Sequence, residues 1–141
     1  SQIGCGIYAF VLWGILDNPS KQGVINGLIN AIKFYKDEPE LNHYIRCFDG
    51  IEKLKREEIK SSGYIVDTLE AALWCLLNTN SYKDCVLLAV NLGDDADTIA
   101  AIAGSLAGAL YGLKRIPSSW LNTLVRKDEI IDVCEKFSKN R

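Results

Sequence analysis

Several ordinary features are missing from these 141 residues, and each absence removes a class of function. No Cys-x-x-Cys pair occurs, although there are five cysteines: Cys5, Cys47, Cys75, Cys85 and Cys134. An odd number scattered through apolar runs argues against a disulfide framework and for buried, reduced thiols in a cytoplasmic protein. The single histidine, His43, has no Cys or Glu partner at ligand spacing, so it is expected at the surface or a helix end rather than on zinc. A basic footprint is also missing: the net charge is −2, and nucleic acid is not an expected partner. No apolar run reaches the roughly 20 residues that a membrane-spanning helix needs. Residues 3–16, IGCGIYAFVLWGIL, carry no charge but are stopped by Asp17-Asn18-Pro19. They also lack the basic start and small-residue cleavage site of a signal peptide. A buried core helix is the expectation, with no membrane partner.

What is there reads as helix throughout. The chain is 48% hydrophobic, enough for a real core. Its apolar positions repeat every 3.6 residues, and no β-branched alternating run of useful length interrupts them. The pattern predicts helices at about 3–16, 21–36, 41–58, 68–78, 82–91 and 98–112, a short one around Trp120 to Val125, and an amphipathic last one through Ile130 and Phe137. Asp67 with Glu70 reads as a capping box for the fourth helix, and Ser81 with Asp84 as the cap of the fifth. The KLKREEIK run of residues 53–60 is expected to face water. In the sixth helix Ala100, Gly104, Gly108 and Gly112 lie four apart and form a smooth ridge. Glycine costs a helix about 0.8–1 kcal/mol relative to alanine. Close approach of a neighbouring backbone would compensate, which predicts that this helix lies at the centre of the bundle.

Asp94, Asp95 and Asp97 crowd together just before that uncharged helix. One aspartate suffices to cap a helix. Several in one partly buried loop repel each other and raise each other's pKa, and the apolar helix suggests that the loop is buried. A divalent cation would relieve the repulsion. Asp95, Asp97 and Thr98 offer the hard oxygens that suit Mg²⁺, Mn²⁺ or Ca²⁺. An EF-hand is excluded, because the Gly at position six and the Glu at twelve are missing. Spacing alone leaves metal binding and double capping both open.

The stretch G-D-D-A-D-T-I-A-A-I-A-G-S-L-A-G-A-L-Y-G, residues 93–112, resembles the C-terminal signature of the ADP-ribosylglycohydrolase family, G-G-D-T-D-T-I-A-A-I-A-G-A-L-A-G-A-x-x-G. Upstream, S-G-Y-I-V-D-T-L-E-A-A-L-W, residues 62–74, resembles the family's G-x-G-Y-V-V-D-T-L segment. The resemblance implies an all-α fold, a compact orthogonal helical bundle, with a binuclear magnesium centre (Mn²⁺ being possible). It implies Asp95, Asp97 and Thr98 as metal ligands, and Ser62, Gly63 and Tyr64 beside ADP-ribose, with packing at a helix start as the other reading of Tyr64. Asp94 stands where the family usually has glycine, and Ala96 where it often has threonine.

The family's G-D-x-x-G-x-x-x-E and D-D-[ST] elements do not occur here. The resemblance therefore implies the C-terminal half of a larger domain, with the catalytic acid expected in the other half and no turnover expected from this chain by itself. Expected partners are ADP-ribose or an ADP-ribosylated substrate, together with the other half or a second copy against the apolar first helix. A non-catalytic remnant that binds ADP-ribose or a partner is the competing expectation.

Overall fold

The uncharged opening stretch, with Asp17 at its end, forms α1 (Gln2–Asp17), and Ser20 starts the antiparallel return, α2 (Lys21–Tyr35). Ser20 Oγ accepts the Gly23 N–H at 3.3 Å, as an N-cap should. A computed structural model describes residues 1–139, which hold eight α-helices and no strand. No helix of the described residues is long and apolar enough to cross a membrane.

The α1–α2 pair is held by glycine. A Cβ on Gly14 would come within 2.9 Å of Gly27 N, and one on Gly27 within 2.6 Å of Val11 Cα. The two backbones touch at a distance only residues without side chains permit. Ile7, Val11 and Ile15 are fully buried on one side of α1, but Trp13 and Leu16 are largely exposed on the other. The expected buried core helix is thus buried on one face only.

The predicted helix over 41–58 is not continuous. Residues Pro39–Tyr44 form a 3₁₀ run, α3 (Ile45–Phe48) is a single turn, and two 3₁₀ turns follow at Ile51–Lys53 and Arg56–Glu58. Gly50 sits in the left-handed region (φ 66°) and ends the helical path. Glu58 Oε2 then accepts the Lys55 N–H at 2.8 Å, closing a separate local turn. Tyr44, Cys47, Ile51 and Ile59 still reach the core from this irregular stretch.

The centre of the bundle is α4 (Ile65–Leu77), not the glycine-ridged helix. Every residue from Thr68 to Leu77 is buried. Lys21 Nζ reaches across to the Leu77 carbonyl at 2.7 Å and satisfies one of its orphan C-terminal acceptors. Helix α5 (Tyr82–Val90) begins at the predicted Ser81 cap, whose Oγ accepts the Asp84 N–H at 3.0 Å and donates to Asp84 Oδ2 at 2.7 Å. It packs on α6 (Ala96–Tyr111). There the glycine ridge meets side chains, not backbone: a Cβ on Gly104 would lie 3.5 Å from Val86 Cγ2, and one on Gly108 3.9 Å from Tyr82 Cε2. Helix α7 (Ser118–Thr123) sets Trp120 edge-on to Tyr82, and α8 (Lys127–Lys139) buries none of its residues.

Cys47, Cys75 and Cys85 are buried and free, as expected, and burial pushes their thiols up to about 12, 12 and 11. They stay protonated and chemically inert at neutral pH. Cys5 and Cys134 differ from the expectation, since both are exposed. His43 is exposed on the 3₁₀ run, as expected.

Candidate metal and substrate site

Two helix N-termini meet at one place, those of α4 and α6. The loop before α4 is built by serine chemistry rather than by the predicted Asp67–Glu70 capping box. Helix α4 starts at Ile65, earlier than expected, with Tyr64 as its extended N-cap. Ser62 Oγ accepts the Tyr64 N–H at 3.2 Å and donates to Asp67 Oδ2 at 2.6 Å. The Thr68 hydroxyl closes the loop from the other side, 3.1 Å from both the Ser62 and Tyr64 carbonyls. Asp67 therefore fixes residues 62–64 instead of capping a helix. Glu70 does not reach back either. Its buried carboxylate pairs with Arg46 at 3.1 Å; burial raises its pKa above the ordinary carboxylate range and Arg46 opposes that.

The acidic loop is tied to this platform through the backbone. Asp95 N–H donates to the Ser61 carbonyl at 3.0 Å, and Ser61 Oγ donates to the Leu92 carbonyl and to Asp94 Oδ2, both at 3.3 Å. Arg56 adds a clamp, with its guanidinium on the Leu92 carbonyl at 2.6 Å. The water-facing role expected of the KLKREEIK run fails at this residue. The sequence marks Ser61-Ser62-Gly63 as a turn, but it does not mark Arg56 or Ser61 as ties to this loop, because nothing local points to a partner 36 or 31 positions away.

Asp95 occupies the N-cap position of α6, yet its side chain makes no cap hydrogen bond. Its Oδ1 accepts the Thr98 hydroxyl at 3.1 Å, while a Cβ built on Gly63 would press on Oδ2 at 3.3 Å. The carboxylate thus faces the 62–64 loop, and a glycine at 63 leaves it room. Asp97, two positions into the helix, is exposed and takes no hydrogen bond or ion pair from the described residues. Asp95 and Thr98 are brought together, and Gly63, between Ser62 and Tyr64, lies against the Asp95 carboxylate; the exposed Asp97 side chain is not brought to them. The expected burial of the loop is not observed: Asp94, Asp97 and Thr98 are exposed and Asp95 is half-buried.

Asp94 has a left-handed backbone, with φ 48°. That conformation favours glycine, which accounts for the glycine expected at this position. Asp94→Gly should therefore stabilise the fold by up to about 1 kcal/mol, and also remove one of the crowded charges. Urea unfolding of the two proteins checks this; a less stable glycine variant would show that the Ser61–Asp94 contact outweighs the strain.

The donor set suits a hard cation: two carboxylates and a hydroxyl, no sulfur and no imidazole. It is incomplete, however. Among the described residues no three His, Cys, Asp or Glu side chains are gathered where they could hold a metal ion. With one oxygen from each side chain, Asp95, Asp97 and Thr98 would supply about half of the roughly six oxygens that Mg²⁺ takes. Asp95 and Thr98 have the donor chemistry for one edge of a coordination sphere, whereas no contact brings the exposed Asp97 carboxylate to them.

The whole chain, residues 1–141, matches the ADP-ribosylglycohydrolase family. The chain belongs to the ADP-ribosylglycohydrolase family. It is 55% identical over 83 residues (59% of this chain, 23% of the relative) to an ADP-ribosylarginine hydrolase Tri1 from Serratia proteamaculans. It is 50% identical over 70 residues (50% and 24%) to an ADP-ribosyl-dinitrogen reductase glycohydrolase from Rhodospirillum rubrum. To an ADP-ribosylhydrolase ARH3 from Mus musculus it is 34% identical over 105 residues (74% and 23%). The matched stretch thus spans under a quarter of each of these relatives. For an ADP-ribosylglycohydrolase-family chain, the meeting of the 62–64 loop with Asp95 brings the two stretches of family resemblance into contact.

Proposed function

We propose that this chain forms one side of the active site of a magnesium-dependent hydrolase that cleaves the glycosidic bond between ADP-ribose and a protein side chain or small molecule. Asp95, Asp97 and Thr98 would hold Mg²⁺, or Mn²⁺ in its place, as part of a binuclear site completed by residues outside this chain. Ser62, Gly63 and Tyr64 would flank ADP-ribose. The observation that carries the reading is the Asp95 side chain. A capping aspartate would turn its carboxylate onto the backbone N–H groups of α6; this one turns to the Thr98 hydroxyl and the Gly63 loop instead.

When bound, Mg²⁺ supplies positive charge that orders water and sugar oxygens as an oxocarbenium-like state develops. The chain's own residues do the positioning. The α6 N-terminus offsets the carboxylate charge of Asp95 and Asp97. The Ser61 carbonyl fixes the Asp95 backbone, and Ser62 holds the Tyr64 loop against Asp67. No residue here is assigned the proton transfer; the buried carboxylate of Glu70 is paired with Arg46. We place the protein in the cytoplasm on its reduced buried thiols. The exposed side of α1, with Trp13 and Leu16, is the proposed seat of the remaining part of the enzyme or of a second copy.

Thermal melts of the full-length gene product with and without Mg²⁺ test the metal. At 100 times its Kd the ion should stabilise by about 2.7 kcal/mol. Release of ADP-ribose from an ADP-ribosylated protein should require Mg²⁺ and stop in chelator. Superimposable melts together with release in chelator would defeat the proposal. A Mg²⁺-dependent shift with ADP-ribose bound but never released would favour a non-catalytic binding module.

A further inference from the structure

Residues 54–61 are tied down at both ends and in the middle. At one end Trp74 Nε1 of α4 donates to the Leu54 carbonyl at 2.9 Å. At the other the Ser61 carbonyl accepts the Asp95 N–H at 3.0 Å. In between, the half-buried Arg56 forks: Nη1 donates to the Ile59 carbonyl of its own segment at 3.3 Å, and Nη2 to the Leu92 carbonyl at 2.6 Å. A planar guanidinium can serve a carbonyl on each segment at once, which a single ammonium does less well. The path beyond Leu92 is one that has to be held. Gly93 and Asp94 are both left-handed, with φ 85° and 48°, and lead directly to Asp95. Such backbone persists only where its surroundings fix it.

The Ser61 hydroxyl has one proton for two acceptors, the Leu92 carbonyl and Asp94 Oδ2, each at 3.3 Å. Arg56 already satisfies the Leu92 carbonyl with a charge-assisted bond, the stronger kind. The Ser61 proton is thereby left to Asp94. Without the guanidinium, the carbonyl of the buried Leu92 would claim it, since an unpaired acceptor there is costly. Asp94 would then be released one residue from Asp95. We propose that Arg56 is a positioning residue for the cation at Asp95: by taking the Leu92 carbonyl it frees the Ser61 hydroxyl to hold Asp94, so that this extra carboxylate does not turn to the ion. The role toward the ion rests on the function proposed above; the coupling of Arg56, Ser61 and Asp94 does not.

Arg56→Met keeps the aliphatic stem and removes both donors. In the full-length gene product it is expected to weaken Mn²⁺ binding, followed by electron paramagnetic resonance, by about tenfold or more, the usual cost of disturbing a group that orients a ligand. In the metal-free protein, hydrogen exchange at the Asp95 amide should quicken by about tenfold, while the amides of Ala71 to Leu76 within α4 keep their protection. Arg56→Lys, with its single head for two carbonyls, should recover part of the Mn²⁺ affinity. In an Asp94→Gly background the loss caused by R56M should shrink to about threefold or less, because no carboxylate is left to release. Gly27→Ala, at the α1–α2 contact, weakens the fold without touching these bonds and should leave Mn²⁺ affinity unchanged. An R56M protein that binds Mn²⁺ as tightly as the unmodified one, or whose Asp95 amide stays equally protected, overturns the proposal. So does a loss of the same size in the Asp94→Gly background, or an equal loss in Gly27→Ala, which would reduce the effect to general stability. Failure of Mn²⁺ to bind the unmodified protein would instead count against the proposed function, and the Asp95 amide still reads the Arg56 tie.

Discussion

Asp95→Ala in the full-length gene product is expected to lower Mg²⁺-dependent ADP-ribose release by about 10³-fold or more, since a metal ion contributes several kcal/mol to such a reaction and each 1.36 kcal/mol is tenfold in rate. The same substitution should abolish the Mg²⁺-induced rise in melting temperature. Stability without metal should fall by less than about 1 kcal/mol, for two reasons. The side chain makes no cap bond that could be lost, and the Asp95 N–H to Ser61 carbonyl bond belongs to the backbone and survives. Loss of activity and of the metal response, with the fold intact, is the pattern that separates a ligand from a structural aspartate. Asp94→Gly supplies the internal comparison: it removes a neighbouring charge of the same sign and should keep both activity and metal response. An Asp95→Ala protein that still releases ADP-ribose at near the original rate would remove Asp95 from the site. A variant that melts far lower yet still gains melting temperature with Mg²⁺ would make it a structural residue.

The parts of this molecule that could be read from its sequence are those whose cause is local. The helical class follows from the spacing of apolar residues, and the Ser81 cap from residues three positions apart. Asp95 and Thr98 are also three apart, so their meeting at one helix start was legible. The parts that could not be read are set by distant partners or by backbone conformation. Gly50 breaks the third predicted helix through a left-handed φ that no periodicity reveals. The start of α4 is fixed by Ser62, with Asp67 as its acceptor; a sequence pattern that looks like a capping box cannot show which hydroxyl reaches first. Arg56 sits in a run of charges that looks solvated, yet its guanidinium reaches across to the Leu92 carbonyl. The burial of the acidic loop was misjudged for a related reason. An uncharged helix buries its length, but its N-terminus can still stand open, and here Asp97 and Thr98 do.

The glycines carry the sharpest contrast between pattern and packing, and it yields a stability test with opposite signs at two helices. Gly27→Ala is expected to destabilise by about 2–3 kcal/mol, even though alanine is the better helix former by about 0.8–1 kcal/mol. The new methyl would sit 2.6 Å from Val11 Cα and closer still to the Phe10 carbonyl oxygen, and neither can turn aside because both are backbone. The α1 and α2 axes would have to separate, which would loosen the seal around the fully buried Val11, Ile15 and Val24 as well. In a domain of this size the corresponding fall in Tm is roughly 5–10 °C. Gly104→Ala should act the other way and stabilise by up to about 1 kcal/mol, since its methyl would meet Val86 Cγ2 at an ordinary 3.5 Å and remove backbone freedom from the unfolded chain. The ridge of α6, which looks from the sequence like the place where backbones meet, is then the tolerant helix, and the uncharged α1 with its partner α2 the intolerant pair. Both variants raising Tm would mean that α1 and α2 stand further apart than the fold described here. Both lowering it would mean that α6 does meet a backbone at its glycine ridge, as its sequence suggests.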